Sequence, residues 1–461
     1  MSERQNRGFS FFGMVAATMA LLKLKERWDE YKQVPTEEEE GRIALNSNER
    51  DEEGARLLPQ VVEVQLHPRP VKKRGCCICC GLDCTLFWKA VGIVIAVLTI
   101  WNAFKLVRWA VTPSPTGLET MPAFSTSLGC MKAPYIYNSS RLAVYVPMGT
   151  QESDHGFDIH GNAVGTITIA AGEASSSSIK YEMTIRATER SLLDTISLSR
   201  PVELPDGTVE NSRAVLGTPV FSDSASCVRY DITIYVPPTL KKLHVAAHTT
   251  THIQFDPESH INIDSLFVTA YAMSTDNMIL PHDNLHAKQL SLEVYRGWIV
   301  GEAAIVDSTR ITSQRGDGII NVKTIPAAPI DEINPETAHL QTTTGAGRTD
   351  IFFISPKSQS HRPINSVHMS SRNADMYITY REAEFDGRVD LDARSFSATG
   401  LSSFDGPGPR TRRPSDNDPN TLDLDLPGKA RDDEKFTHYH GDSDGLDKLF
   451  IKTRGWAGVY F

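Results

Sequence analysis

The stretch from Leu292 to Val322 decides the fold, because it holds two consecutive copies of one pattern. The first copy reads LEVYRGWIVG from Leu292, and the second reads ITSQRGDGIINV from Ile311. In each copy a strand-like run of alternating apolar residues reaches a polar turn with a glycine, Gly297 or Gly316, and a second strand-like run follows. Glycine at such a corner supplies the positive φ that a tight turn needs. The pattern therefore predicts pairs of strands joined by glycine turns.

Related segments recur on both sides of this stretch. Arg296-Gly297-Trp298 returns as Arg454-Gly455-Trp456, and the repeats are about 19 to 29 residues apart. The leading apolar residues of the other copies are Leu243, Leu266, Leu340, Met369 and Phe450. A repeat of this length is one coil or hairpin that cannot bury its apolar face alone, so stacked coils build a continuous core. We therefore predict an irregular β-solenoid, or β-helix-like domain, over residues 240–461, with an ordinary antiparallel sandwich as the alternative.

The segment upstream of the repeats alternates with period two but does not repeat. Its strand-like runs begin at Leu142, Gly165, Ile179 and Cys227. This pattern is typical of half-buried strands and predicts a β-sandwich-like module over residues 141–239. Cys130 lies before the first of these strands and Cys227 opens the last. A disulfide between them would tie a predicted stalk, residues 112–140, to the sheet.

A membrane-spanning segment precedes the predicted stalk. Residues 84–104 read CTLFWKAVGIVIAVLTIWNAF and contain one charge, Lys89. About 20 apolar residues suffice for a helix to cross the hydrocarbon core of a bilayer. Trp88 and Trp101 lie near the two ends, as aromatic residues do at membrane interfaces. We predict a single transmembrane helix within residues 76–111, so that the whole chain is mainly β with one membrane anchor.

Flanking charge predicts the orientation. Arg69, Lys72, Lys73 and Arg74 lie upstream of the apolar run, whereas fewer basic residues follow it, so the positive-inside rule places the N-terminus in the cytosol. Asn138-Ser139-Ser140 is an N-glycosylation sequon on the opposite side. These features predict a single-pass type II glycoprotein whose β domain faces the cell surface or the lumen of the secretory pathway.

An alternative start to the chain would change this topology. Residues 9–22, FSFFGMVAATMALL, follow Arg4 and Arg7 as the core of a signal peptide would, and cleavage after them would invert the orientation. No A-x-A cleavage site follows. We therefore favour a short helix at the start of a disordered, charged cytosolic tail that spans residues 1–75.

Five cysteines crowd the cytosolic side of the predicted span. They are Cys76, Cys77, Cys79, Cys80 and Cys84. Juxtamembrane cysteines beside a basic patch are typical S-acylation sites, which is the favoured interpretation. Their C-x-x-C spacing also suits metal ligands, but residues packed this tightly cannot easily surround one ion. We predict no metal and no cofactor.

The remaining sequence gives little indication of catalysis. The net charge of −10 argues against nucleic-acid binding, and no motif of a known nucleophile, phosphate loop or zinc site is present. The densest polar cluster is His438, His440, Asp442, Asp444 and Asp447, interpreted as a solvated loop before the last strand. His244, His248 and His252 are interpreted as surface or turn residues. Asp390 and Asp392 would share one face of a strand, which keeps open an enzyme that uses paired carboxylates. We predict no enzyme and no catalytic residues.

The start of the repeats resembles a known family. The run VPPTLKKLHV, residues 236–245, followed by strand–glycine–strand repeats, resembles adhesin-like domains of bacterial and fungal proteins of unknown function. The resemblance covers roughly residues 179–461, and the cytosolic tail with one span resembles the fungal membrane-anchored members. It implies a solenoid-like fold and adhesion, without a defined ligand or catalytic residues. This chain departs from the pattern in its irregular spacing and in a flexible insert at residues 400–434.

These observations lead to one expected function and one alternative. The chain is expected to be a single-pass membrane protein that presents an extracytoplasmic adhesin-like domain for adhesion or scaffolding. Its expected partners are the lipid bilayer and either glycans or surface proteins, with no nucleic acid. The alternative is a membrane-tethered carbohydrate-active enzyme built on a β-helix.

Overall fold

A computed structural model describes most of the chain in two units, Met1–Pro115 and Thr116–Phe461. The described residues are 11–32, 78–79, 82–111, 116–150, 153–206, 208–221, 226–356, 360–404 and 436–461. Most of the predicted cytosolic tail lies outside them, as does the predicted insert from residue 405 onward.

The first unit is built around two helices. Helix α1 spans Phe11–Lys32, α2 spans Cys84–Val111, and strands β1 (Ile78–Cys79) and β2 (Leu82–Asp83) form a short antiparallel hairpin. The predicted short N-terminal helix continues well past the apolar run into charged sequence. Val15 of α1 packs against Ala90 and Val94 of α2 in a small apolar cluster.

Helix α2 has the properties of a membrane anchor. Within the described residues, its segment 87–108 is the one helical stretch long and apolar enough to cross a bilayer. Only 11% of its most apolar part is buried inside the structure, whereas the core helix of a soluble protein is mostly buried. The Thr99 hydroxyl donates to the carbonyl oxygen of Ile95 at 2.8 Å, which satisfies this polar group within the helix.

The second unit begins with strands that are mixed in direction. These are β3 (Tyr135–Ile136), β4 (Leu142–Pro147), β5 (Asp154–His160), β6 (Val164–Ala171), β7 (Ser178–Ala187), β8 (Ser197–Ser199), β9 (Arg213–Gly217) and β10 (Val228–Val236), with a short helix α3 (Arg190–Leu193) between β7 and β8. Strands β4, β7 and β10 pair in antiparallel fashion, whereas β10 pairs with β6 in parallel.

The repeats that follow form coils of two strands each. Their strands are β11 (Lys242–Ala247), β12 (Thr251–Phe255), β13 (Ile261–Ala270), β14 (Met278–Leu280), β15 (Leu285–Val294), β16 (Trp298–Ile305), β17 (Ser308–Ser313), β18 (Ile319–Pro326), β19 (Ala338–Thr344), β20 (Arg348–Ile354), β21 (Ile364–Ser370) and β22 (Asp375–Glu382). Odd-numbered strands pair in parallel with odd-numbered ones, and even-numbered strands with even-numbered ones. This arrangement confirms the prediction of a mainly β, solenoid-like fold.

The core is continuous through the whole second unit. Strand β5 pairs with β11 and β6 pairs with β12, so hydrogen bonding crosses residue 240 without a break. Successive coils place apolar side chains in register, as in the buried series Val245, Val268, Leu292 and Ile311. One buried cluster joins the residues predicted as a separate module to those of the repeats.

The end of the chain does not follow the order of the coils. Four strands complete the unit: β23 (Gly387–Thr399), β24 (Ser402–Ser403), β25 (His438–His440) and β26 (Asp447–Tyr460). Strand β26 lies between the coil of β21 and β22 on one side and β23 on the other. Strand β25 then pairs in antiparallel fashion with the first three residues of β23, Gly387–Val389.

Candidate functional site

A cleft opens on the outer face of β4, β7 and β10. Its volume is about 260 Å³, and its walls include Tyr145, Lys180 and Tyr235. The antiparallel register places Lys180 opposite Tyr145 on one neighbouring strand and opposite Tyr235 on the other. Side chains at opposed positions of a sheet share one face, so these three residues form a cross-strand row.

The alternation of β7 explains why this row faces outward. Ile179, Tyr181 and Met183 of β7 are buried, and the residues between them therefore point to the other face. Lys180 and Glu182 occupy that outer face. Tyr145 of β4 keeps 57% of its surface exposed.

An ion-pair network fixes the polar side chains of the cleft. The Lys180 ammonium lies 2.8 Å from one carboxylate oxygen of Glu182, and the Tyr235 hydroxyl donates to the other oxygen at 3.1 Å. Arg141 also pairs with Glu182. The bond to Glu182 raises the pKa of Lys180, and the bond to Lys180 lowers the pKa of Glu182, so both are charged near neutral pH. The Lys180 ammonium also lies 5.0 Å from the centre of the Tyr235 ring.

Two buried histidines, which the sequence analysis did not single out, bridge the two sides of the core. His155 on β5 contacts the Ser212 hydroxyl through Nδ1 at 2.6 Å and the Tyr181 hydroxyl through Nε2. Burial lowers the pKa of His155 to about 4. Burial also raises the pKa of Tyr181, so its hydroxyl stays protonated and donates to the neutral imidazole.

The second buried histidine repeats this arrangement near the other end of the solenoid. His368 on β21 contacts the Thr342 hydroxyl through Nδ1 at 2.7 Å and the Tyr380 hydroxyl through Nε2 at 3.2 Å. Burial lowers the pKa of His368 to about 3. Both imidazoles are buried, and their hydrogen bonds join separate strands inside the core.

The predicted stalk packs on the β unit from residue 116 onward. The buried Arg229 donates to the carbonyl oxygens of Ser125 at 2.8 Å and Gly129 at 3.0 Å. The backbone N–H of Ser125 donates to Nδ1 of His252 at 2.9 Å. The sulfurs of Cys130 and Cys227 are bonded in the structure, with 6.1 Å between their Cα atoms. His252 is fully buried, so its interpretation as a surface or turn residue was wrong.

The predicted glycosylation site lies within the described residues, whereas most of the predicted acylation sites do not. Asn138 is exposed in a short 3₁₀ turn, residues 137–139, with a φ of 50°, and its glycosylation stays a prediction. Three of the cysteines proposed for acylation, Cys76, Cys77 and Cys80, lie outside the described residues. Cys79 ends β1 and Cys84 begins α2, so the backbone of these two lies next to the apolar segment.

The C-terminal polar cluster does not converge on one point. Nδ1 of His440 lies 2.6 Å from the carbonyl oxygen of Gly400, while Nδ1 of His438 lies 2.8 Å from the Thr437 hydroxyl. Across the described ranges, no group of three or more His, Cys, Asp or Glu side chains is placed to hold a metal ion.

Asp447 within this cluster has a structural role. It is fully buried and accepts the backbone N–H groups of Ile364 at 2.8 Å and Asp386 at 2.7 Å. Both its oxygens also lie 3.1 Å from Nε2 of His361. The interpretation of the cluster as a solvated loop was therefore wrong for Asp447, which fixes the start of β26 between its neighbours.

The two carboxylates considered for catalysis lie on the outer face of β23. Asp390 and Asp392 alternate with the buried Val389 and Leu391. On β26 their opposed residues are Phe450 and Lys452, and neither is acidic.

The fold and the apolar helix define a class: a β-solenoid unit that follows a candidate membrane anchor. No protein-family model matches the chain, and no curated protein matches it. Among solved structures, it is similar to one described as a "putative cell adhesion protein" from Clostridium sporogenes. The identity is 10%, the match covers 70% of this chain and 99% of that chain, and the TM-score is 0.20. A similarity at this TM-score carries no argument about function.

Proposed function

We propose that this chain is a single-pass membrane protein that presents its β unit outside the cytosol for adhesion or scaffolding. One observation carries the proposal: an exposed apolar helix, α2, precedes a β unit whose two cysteines, Cys130 and Cys227, lie within bonding distance. Disulfides persist in oxidising compartments such as the cell surface and the secretory lumen. The proposal includes a cytosolic N-terminus.

The solenoid supports a binding role. Stacked coils build an extended outer face, which suits contact with large partners such as glycans or surface proteins. The outer face carries the cleft at Tyr145, which is open to solvent and lined by aromatic and charged side chains. The proposal therefore assigns no catalytic residues and no cofactor.

A glycosylation assay with matched variants tests the orientation. The full chain is expressed in eukaryotic cells, and its gel mobility is compared before and after treatment with an N-glycosidase. We expect a mobility shift in the wild type and in Ser139→Ala, which keeps the sequon. The shift should be lost in Asn138→Gln and in Ser140→Ala. Two results together would contradict the proposal: the β unit carries no glycan, and protease added to the cytosolic side of sealed vesicles digests it.

A further inference from the structure

We infer that the cleft between Tyr145 and Tyr235 binds one ring of a neutral carbohydrate. The inference rests on the proposed function, because it names the chemical class of ligand for the surface that adhesion requires.

The aromatic groups suit the apolar face of a sugar. A pyranose ring carries C–H groups on one face, which pack against aromatic rings. Tyr145 is 57% exposed and so has ring surface available for such a contact. The Tyr235 hydroxyl is bonded to Glu182 and the Lys180 ammonium lies over the Tyr235 ring, so Tyr145 supplies the open aromatic surface for the sugar. Tyrosine supplies a large contact area at low cost in conformational entropy, because it has two rotatable bonds.

The polar groups suit the hydroxyls of a sugar, which both donate and accept hydrogen bonds. In the wall, Glu173 supplies a carboxylate acceptor and Lys180 supplies a donor, and the bond to Glu182 holds the Lys180 ammonium in place. Ser176 and Ser178, also in the wall, add hydroxyls, and that of Ser176 is held by the Ser178 carbonyl oxygen at 2.8 Å. Lys180 is bonded to Glu182, and Ser176 to Ser178, before any ligand arrives, and such preorganisation lowers the entropic cost of binding.

The charge of the cleft favours a neutral ligand. The charged residues in the wall are Lys180 and Glu173. Their one positive and one negative charge cancel, so the cleft has no excess charge that would select a phosphate, a uronic acid or an amine. A ligand class that is both polar and uncharged, with an apolar face, is a neutral carbohydrate.

The size of the cleft limits how much of the ligand it holds. Its volume of about 260 Å³ lies just below the range of about 300–1,000 Å³ that is typical of pockets for drug-sized molecules. One sugar ring therefore enters the cleft, while the rest of a sugar chain lies along the outer face of the sheet.

A cross-strand Tyr–Lys–Tyr row can also serve only to stabilise a sheet. Binding experiments on an exposed member of the row separate the two roles.

The experiment uses the full chain in detergent micelles and four immobilised polysaccharides. Two are neutral, a mannan and a β-glucan, and two are anionic, polygalacturonate and heparin. We expect the wild type to bind at least one neutral polysaccharide more tightly than both anionic ones. Tyr145→Ala and Glu182→Gln should each weaken that binding at least ten-fold. The matched control is Tyr135→Ala, which removes another exposed tyrosine outside the cleft and should bind like the wild type.

Unfolding temperatures of all variants keep the result interpretable. Because Tyr145 is largely exposed, its truncation should leave the unfolding temperature close to that of the wild type. The inference is overturned if neither neutral polysaccharide binds, if an anionic one binds best, or if Tyr145→Ala binds like the wild type. Its failure is distinct from failure of the proposed function. If the β unit lies outside the cytosol but binds neither neutral polysaccharide, only the assignment of the cleft is contradicted. If the β unit lies in the cytosol and its binding depends on Tyr145, only the adhesive role is contradicted.

Discussion

Acid will destabilise the β unit through the two histidines that bridge its core. The folded state holds His155 neutral, since burial lowers its pKa to about 4, against an ordinary value near 6.5 in the unfolded chain. His368 has a pKa of about 3 when folded. As the pH falls below 6.5, the unfolded chain takes up these protons first, so stability that is complete above pH 6.5 is lost toward pH 4.

The magnitude follows from the difference between the folded and unfolded pKa values. A pKa difference of one unit corresponds to about 1.4 kcal/mol. Each histidine therefore lowers the free energy of unfolding by roughly 2 to 3 kcal/mol between pH 6.5 and pH 4.5, and the two together lower it by about 5 kcal/mol. This is a large part of the roughly 5–15 kcal/mol that stabilises a typical domain. His361 acts in the opposite direction, because its bond to Asp447 raises its pKa. The stability that His361 adds is complete below pH 6.5 and is lost as the pH rises through its folded pKa.

The assay is urea unfolding of the full chain in micelles at pH 7 and pH 4.5, followed by circular dichroism at a β-sheet wavelength. We compare the wild type with His155→Gln/His368→Gln, in which neither core position can take up a proton. His286→Gln, at an exposed position on β15, is the control. The wild type and the control should lose about 5 kcal/mol more between the two pH values than the double variant. Equal losses in all three proteins would refute the reasoning.

Three further predictions concern the backbone and the ends of the unit. Cys227→Ser opens a loop of 97 residues and should cost about 2 to 4 kcal/mol in thermal unfolding, an effect that reductant should reproduce in the wild type; insensitivity to both would contradict a disulfide. Asp447→Asn removes the charge that pairs with His361 and should speed hydrogen exchange in β26 at least ten-fold; unchanged exchange would show that this carboxylate does not hold the strand. Gly297→Ala should lower the free energy of unfolding by at least about 2 kcal/mol more than Gly316→Ala does. A Cβ at Gly297 would lie 2.2 Å from the Asn277 carbonyl oxygen, whereas nothing lies within 4 Å of a Cβ at Gly316. Equal losses in the two variants would refute this close approach.

The sequence pattern predicted local features of the solenoid well. Leu292 and Ile311 were aligned by their glycine turns, and the structure pairs them directly. The alignment fails one coil later, where Leu340 pairs with Thr309 and the partner of Ile311 is Thr342. The turn between β17 and β18, residues 314–318, is two residues longer than the turn between β19 and β20, residues 345–347. Aligning the glycines of the two turns therefore shifts the strands by two residues. Thr342 is a polar residue at a buried position, so the apolar periodicity of the sequence is interrupted there.

Features that depend on pairing between distant segments could not be predicted. Strand β26 lies between strands that precede it in the chain, and no local pattern encodes that position. The same holds for the cleft, because Tyr145, Lys180 and Tyr235 come together only through the registers of β4 with β7 and of β7 with β10. The buried partners of His155 and His368 likewise come from other strands.

The central claim, that a membrane anchor holds the β unit outside the cytosol, is tested most directly by protease protection in sealed microsomes. The chain carries an epitope after Phe461, and protease is added with and without detergent. The account predicts a protected fragment that contains the epitope and the whole β unit and that disappears when detergent opens the vesicles. Digestion of the epitope in intact vesicles, with luminal markers still protected, would contradict it.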